Sequence, residues 1–116
     1  MSDSVLDLEF LGELLDGDAE FAEELFETYY ESADKALDEA RKMISAGDTT
    51  NCFRPFHTLK GASASVGLTT LQELARKFEV TAKAGELGKC EVELPKLEAA
   101  IGDAKSVLKA YLQTLT

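Results

Sequence analysis

The spacing of apolar residues is the feature that most constrains the fold of this chain. Near the C-terminus these residues recur at alternating steps of three and four, at Leu94, Leu97, Ile101, Ala104, Leu108, Tyr111 and Leu115. Positions three and four apart share one face of an α-helix, so this segment is predicted to be a helix with one apolar seam. No segment shows sustained alternation of period two, which strands would require. The spacing therefore predicts an all-α protein.

The N-terminal half is predicted to contain a short helix and a long one. Ser4 and Asp7 are candidates to cap the short helix, which carries Val5 on its apolar face and ends near residues 12–17. This helix is expected to act as a lid on the bundle. Asp18 is the predicted N-cap of the long second helix, and Gly47 follows its C-terminus.

Proline and glycine define the expected limits of the third helix. A start near Asn51 would place Pro55 in the first turn, where its missing backbone donor is not needed, and Gly67 would end the helix. A late start or an irregular first turn is expected because Pro55 lies only two residues before His57.

The fourth and fifth helices follow the same signals. Thr69 and Gln72 form a candidate capping box at the start of the fourth helix, and Gly85 and Gly88 are expected to end it. The fifth helix is then predicted to begin near residues 90–94, with Pro95 in its first turn.

Short glycine-containing connections between long helices favour antiparallel neighbours. We therefore predict an antiparallel up-down four-helix bundle with an additional short N-terminal helix. The whole chain, residues 1–116, is expected to form a single domain with its bundle core at about residues 18–115.

The net charge and the cysteine residues of the chain argue against several classes of function. The formal net charge of −10 opposes binding to nucleic acid or to an anionic membrane. The acidic start has no secretory signal pattern, and no apolar stretch is long enough to span a membrane, so a cytoplasmic location is expected. Cys52 and Cys90 match no metal-ligand spacing and are expected to be buried thiols.

The sole histidine, His57, lies in the sequence His-Thr-Leu-Lys-Gly at residues 57–61. On a helix, Lys60 at i+3 and Gly61 at i+4 share the face of His57. The buried stripe predicted for this helix leaves out His57 and Lys60, so the imidazole should face solvent. Lys60 places a cation near the imidazole, and Gly61 leaves one side of the ring without a neighbouring side chain. A bulky anion can therefore reach the imidazole, which favours a role as a phosphoryl acceptor.

A histidine nucleophile also needs its ring oriented. A proton held on Nδ1 by an acceptor leaves the Nε2 lone pair free to attack phosphorus. If the third and fourth helices form a tight antiparallel hairpin, residues whose numbers sum to about 136 lie level, and His57 and Glu79 satisfy this condition. Arg76 and Lys83 flank Glu79 at i−3 and i+4 and are expected to form a basic rim.

The pattern His-x-x-Lys-Gly followed by small residues and a second glycine resembles the signature of the histidine-containing phosphotransfer (HPt) family. The resemblance extends over roughly residues 8–115 and implies a stand-alone bacterial HPt protein of the HptB type. It implies that His57 is phosphorylated on Nε2, that Lys60 stabilises the phosphoryl charge, that Gly61 gives access to the imidazole, and that Glu79 orients His57 through Nδ1.

The same resemblance implies the partners. A receiver domain of a hybrid histidine kinase would donate the phosphoryl group, and a response regulator would accept it. No Gly-rich nucleotide loop is present, so no ATP binding or autokinase activity is expected. No cofactor is expected on this chain, because the magnesium ion would belong to the receiver domain. A monomer is the default expectation.

Two other classes of function remain open at this point. A helical interaction module without chemistry would use the acidic second helix and the apolar seam of the fifth. A metal site would combine His57 with Cys52 or Cys90. Cys52 lies five positions before His57, so the two side chains diverge by about 140° on a helix, which disfavours a shared ion.

Overall fold

A computed structural model describes residues 6–116, and all regular secondary structure in that range is α-helical. The helices are α1 (Leu8–Leu15), α2 (Ala19–Ala46), α3 (Phe53–Ser65), α4 (Thr69–Lys83) and α5 (Leu87–Gln113). Contacts between α2 and α3, α3 and α4, α4 and α5, and α2 and α5 close a four-helix bundle, and α1 packs against α2. The predicted fold, an all-α four-helix bundle with a short N-terminal helix, is confirmed.

Helix α1 lies against the end of the bundle where α3 turns into α4. The Asp7 carboxylate caps it by accepting a hydrogen bond from the Phe10 amide at 3.0 Å. The Asp7 amide donates to the Gly67 carbonyl at 2.7 Å, which ties α1 to the α3–α4 turn. The predicted cap at Ser4 and the apolar position Val5 lie outside the described residues. The helix itself begins at Leu8.

The predicted limits of α2 are confirmed. The Asp18 carboxylate accepts from the Phe21 amide at 3.0 Å. Gly47 follows the helix with a φ of 68°, a left-handed conformation that costs glycine little.

Helix α3 begins late, two residues after Asn51, which is one of the two expected alternatives. The Asp48 carboxylate accepts hydrogen bonds from the amides of Thr50 and Asn51 at 3.1 and 2.9 Å, which holds residues 49–52 in turns. The helix therefore starts at Phe53, and Pro55 is its third residue, still within the first turn. The irregular segment before His57 is thus a turn that precedes the helix.

The predicted starts of α4 and α5 both differ from the structure. Helix α4 begins at Thr69 with Leu68 in the N-cap position, so Thr69 is the first helical residue and not the predicted N-cap. Helix α5 begins at Leu87, which places Gly88 inside it and makes Pro95 an interior residue. Leu87 packs against the core and Cys90 is buried, so burial outweighs the local preferences of Gly88 and Pro95.

The core consists of residues from all five helices, and a buried hydrogen bond crosses it between α2 and α3. The hydroxyls of Tyr29 and Ser63 lie 3.0 Å apart. Across residues 6–116, none of the helices has the length and apolar character to cross a membrane.

Candidate functional site

His57 faces solvent from the middle of α3. Its side chain is 64% exposed, whereas Phe56 and Leu59 on the same helix are buried in the core. The Phe56 ring packs against Phe78 of α4 with centroids 5.1 Å apart, which fixes α3 against α4 directly beneath the histidine. The predicted outward direction of His57 follows from this burial of its neighbours.

Glu79 of α4 orients the imidazole. Its Oε2 lies 2.8 Å from His57 Nδ1, although only 3% of Glu79 is exposed. An ionised carboxylate only accepts hydrogen bonds, so Nδ1 carries the proton and donates it to Glu79. The Nε2 atom is then left with a free lone pair, and the antiparallel register of α3 and α4 brings the two residues together as the sequence predicted.

Two ammonium groups also bind the Glu79 carboxylate. Lys60 Nζ lies 2.8 Å from Oε1, and Lys83 Nζ lies 3.5 Å from Oε2. Lys83 Nζ also sits 5.1 Å above the ring centroid of Phe53, the residue one helical turn before His57. Two lysines therefore flank the imidazole. Lys60 lies one turn further along α3, and Lys83 of α4 lies beside the turn of α3 that precedes His57.

Of the two residues predicted to form a basic rim around Glu79, only Lys83 contacts it. Arg76 binds Glu73 rather than Glu79, whereas Lys83 contacts the carboxylate that orients His57. The i,i+4 spacing of Glu79 and Lys83 is that of an ordinary ion pair on one helix, and the structure contains this pair. What spacing within α4 does not indicate is the contact of Lys83 with Phe53 at the matching level of α3, where an aromatic ring can hold an ammonium group in place.

The Glu79 carboxyl is ionised at any physiological pH. Burial alone would raise its pKa, but hydrogen bonds and charges from Lys60 and His57 outweigh burial and lower the pKa to about 2. The permanent charge of Glu79 has two consequences. It keeps the proton on Nδ1, and it holds the ammonium groups of Lys60 and Lys83 near the imidazole.

Gly61 leaves open space beside the imidazole. It is exposed, and a Cβ added to it would meet no atom within 4 Å outside its own helix and neighbours. Packing inside the chain therefore does not require glycine here, even though glycine in a helix costs about 1 kcal/mol relative to alanine.

The cysteines belong to the core and not to the exposed surface around His57. Cys52 and Cys90 are both buried, and burial raises the pKa of Cys52 and raises that of Cys90 to about 11. Their sulfurs are protonated thiols in the core, whereas His57 faces solvent. Within residues 6–116 no cluster of three or more histidine, cysteine or acidic residues has the arrangement of a metal site.

Helical bundles that present one oriented histidine to solvent form a class of proteins. This chain has the fold and the site of that class. The model of the Hpt domain family matches residues 24–115, and the chain belongs to this family.

Two known proteins illustrate the similarity. The chain is 27% identical over 105 residues to the phosphorelay intermediate protein rdeA of Dictyostelium discoideum. That alignment covers 90% of this chain but 41% of the relative, so the chain spans less than half of the relative's length. The crystal structure of histidine-containing phosphotransfer protein B (HptB) from Pseudomonas aeruginosa PAO1 has the same fold. Its TM-score is 0.87 at 22% identity, covering 97% of this chain and 98% of the other.

Proposed function

We propose that this protein is a phosphorelay intermediate that carries a phosphoryl group on Nε2 of His57. The donor is an aspartyl phosphate on the receiver domain of a hybrid histidine kinase, and the acceptor is the aspartate of a response regulator. The observation that carries the proposal is the 2.8 Å contact between His57 Nδ1 and the buried Glu79, which leaves Nε2 free on an exposed ring.

The transfer step needs no base on this chain. The Nε2 lone pair attacks phosphorus, an N–P bond forms, and the P–O bond to the aspartate breaks with its electron pair leaving on the carboxylate. The proton on Nδ1 stays in place, so the phosphorylated ring is cationic and Glu79 stabilises it. In onward transfer the second aspartate attacks phosphorus, the N–P bond breaks, and the electron pair returns to Nε2.

Lys60 and Lys83 supply the positive charge that the phosphoryl oxygens require. Both ammonium groups contact Glu79 in the unphosphorylated protein, yet the Lys60 and Lys83 side chains are 30% and 57% exposed. Each can therefore turn toward an incoming phosphoryl group while Glu79 keeps its hydrogen bond to His57. Gly61 provides the space through which the donor approaches.

The remaining chemistry is assigned to the partners. The chain acts as a single HPt domain and a carrier, without ATP binding or autokinase activity, and the magnesium ion for the transfer belongs to the receiver domain. It acts as a monomer in the cytoplasm and binds neither nucleic acid nor membrane, consistent with its charge of −10.

The function is tested by incubation with a phosphorylated receiver domain carrying a ³²P label. Wild-type protein should become labelled with the acid-labile, alkali-stable behaviour of phosphohistidine. His57→Gln should remain unlabelled, with an unchanged circular dichroism spectrum because His57 is exposed. Equal labelling of wild type and His57→Gln would refute the proposal, and a protein that binds receivers without being labelled would be a non-catalytic interaction module.

A further inference from the structure

Phe53 is the first residue of α3 and lies one helical turn before His57. The antiparallel register of α3 and α4 sets it level with Lys83, the last residue of α4. Lys83 Nζ lies 5.1 Å from the centroid of the Phe53 ring, inside the range of about 6 Å at which a ring face attracts a cation. An aromatic ring and a cation therefore meet directly beside the phosphoryl site.

The core does not require an aromatic ring at this position. Phe53 is half-buried and packs at the edge of the core, whereas Phe56 is buried and packs against Phe78. A leucine would provide similar apolar contact at this edge. What only a ring provides is an electron-rich face that attracts a cation. The aromatic character of Phe53 therefore matters for its contact with Lys83.

Lys83 is held by a carboxylate and a ring together. Its ammonium lies 3.5 Å from Glu79 Oε2, the oxygen that also accepts from His57 Nδ1 at 2.8 Å. Lys60, by contrast, approaches the other carboxylate oxygen to 2.8 Å. The longer contact of Lys83 is consistent with a cation shared between two attracting groups. The Phe53 ring thus keeps Lys83 near the imidazole without closing it on the oxygen that orients His57.

The Lys83 side chain would leave this position easily without the ring. It is 57% exposed, so water competes for its ammonium group, and an ion pair this exposed contributes little by itself. The ring face adds a second attraction and reduces the number of conformations open to a long, flexible side chain. When negative charge builds on the phosphoryl oxygens, the cation is then already in place.

We infer that Phe53 is a positioning residue for phosphoryl transfer and that it acts by holding the Lys83 ammonium beside His57. The inference rests on the proposed function, because it takes His57 as the phosphoryl acceptor. The ring takes no part in making or breaking bonds. Lys83 keeps its protons and pairs with a phosphoryl oxygen while the N–P bond forms at Nε2 and the P–O bond to the aspartate breaks.

The test measures single-turnover transfer from a ³²P-labelled receiver domain. Phe53→Leu should lower the maximal transfer rate by about two- to fivefold and leave the receiver concentration for half-maximal transfer unchanged. Lys83→Met should lower the rate by about tenfold or more. The double variant should be no slower than Lys83→Met alone, because the ring then has no ammonium to hold.

Two further replacements separate the ring face from packing. Phe53→Tyr keeps the face and should transfer as wild type does. A trifluorinated phenylalanine in place of Phe53 keeps the shape of the ring but withdraws electron density from its face, so it should slow transfer as Phe53→Leu does. Because it preserves packing, this replacement decides the question even if Phe53→Leu does not fold.

Tyr30 of α2 offers a matched control. Like Phe53, it packs at the edge of the core and lies near an ammonium group, that of Lys109 on α5, at 5.8 Å from the ring centroid. Tyr30→Leu should transfer as wild type does, because this pair lies on the α2–α5 side of the bundle and His57 lies between α3 and α4.

The outcomes distinguish this inference from the function on which it rests. With wild type labelled and His57→Gln unlabelled, three results would each overturn the inference alone. These are wild-type transfer by the trifluorinated protein, additive losses in the double variant, or an equal loss in Tyr30→Leu. Absence of label from wild type would refute the phosphorelay function and the inference with it.

Discussion

At the residue scale, the buried Glu79 couples the site to the stability of the bundle. A carboxyl with a folded pKa of about 2, against an ordinary value near 4.5, stabilises the folded state fully above pH 4.5. The stabilisation is lost as the pH falls toward 2. Because His57 and Lys83 are largely exposed and screened by solvent, we expect a contribution of about 2 kcal/mol near neutral pH.

Glu79→Gln tests this contribution. The variant keeps an acceptor for His57 Nδ1 but loses the charge that holds Lys60 and Lys83. It should be less stable than wild type at pH 6, and the difference should shrink as the pH falls through 3 toward 2. Urea unfolding at several pH values measures this. Glu73→Gln removes an exposed carboxylate whose pKa Arg76 also lowers, so it should show a pH dependence of the same sign but smaller, because solvent screens this pair.

The sequence predicts the position of Glu79 more fully than the contacts of Lys83. The level of Glu79 opposite His57 follows from helix rise and a short antiparallel turn, which are properties of the backbone. Lys83 lies four residues after Glu79, a spacing that favours an ion pair on one helix, but its position over the Phe53 ring depends on four rotatable side-chain bonds. The sequence therefore predicts the Glu79–Lys83 pair and does not predict the contact with Phe53.

At the element scale, a buried hydroxyl pair holds α2 against α3. Burial raises the pKa of Tyr29 to about 12, so its hydroxyl stays protonated beside Ser63. Tyr29→Phe and Ser63→Ala should each cost about 1–2 kcal/mol, because each leaves a buried hydroxyl without this partner. The double variant should cost less than the sum of the two. Additive losses in urea unfolding would show that the pair contributes nothing as a unit.

Helix α5 shows where local rules fail. Gly88 and Pro95 favoured a start near residues 90–94, but Leu87 packs against the core and Cys90 is buried in it. Tertiary burial of this kind is not visible in a local pattern, because it depends on which helix lies opposite. The helices themselves were predictable from the sequence, and this start was not.

Helix α5 therefore contains a proline in its interior, and a residue with a higher helix propensity at that position should stabilise the protein. Pro95 is exposed and lies eight residues after the start of α5, where it removes the hydrogen bond to the Glu91 carbonyl. Pro95→Ala should stabilise the protein by about 1–2 kcal/mol, which is below the full helix-interior penalty because proline also restricts the unfolded chain. Thermal and urea unfolding measure the change. Pro55→Ala should give no gain, since Pro55 is buried and lies in a first turn.

At the scale of the whole molecule, charge is divided between two halves. Residues 1–48 hold 15 of the 22 acidic residues and 3 of the 12 basic ones, a net charge of −12. Residues 49–116 carry +2 and contain His57 and both lysines that contact Glu79. We expect this asymmetry to turn the α3–α5 side toward acidic partner surfaces and to keep the outer face of α2 in solvent.

Repulsion between the acidic side chains on the outer face of α2 should lower the stability of the protein. Glu23 and Glu31 each lie four residues from Glu27, and like charges at this spacing destabilise a helix by about 0.2–0.5 kcal/mol per pair. Glu23→Gln/Glu31→Gln removes both pairs and should stabilise the protein by about 0.5–1 kcal/mol at low salt. The gain should shrink in 0.5 M NaCl, because salt screens exposed charges. Glu91→Gln/Asp103→Asn changes the net charge equally without such neighbours, and an equal gain from it would assign the effect to overall charge rather than to α2.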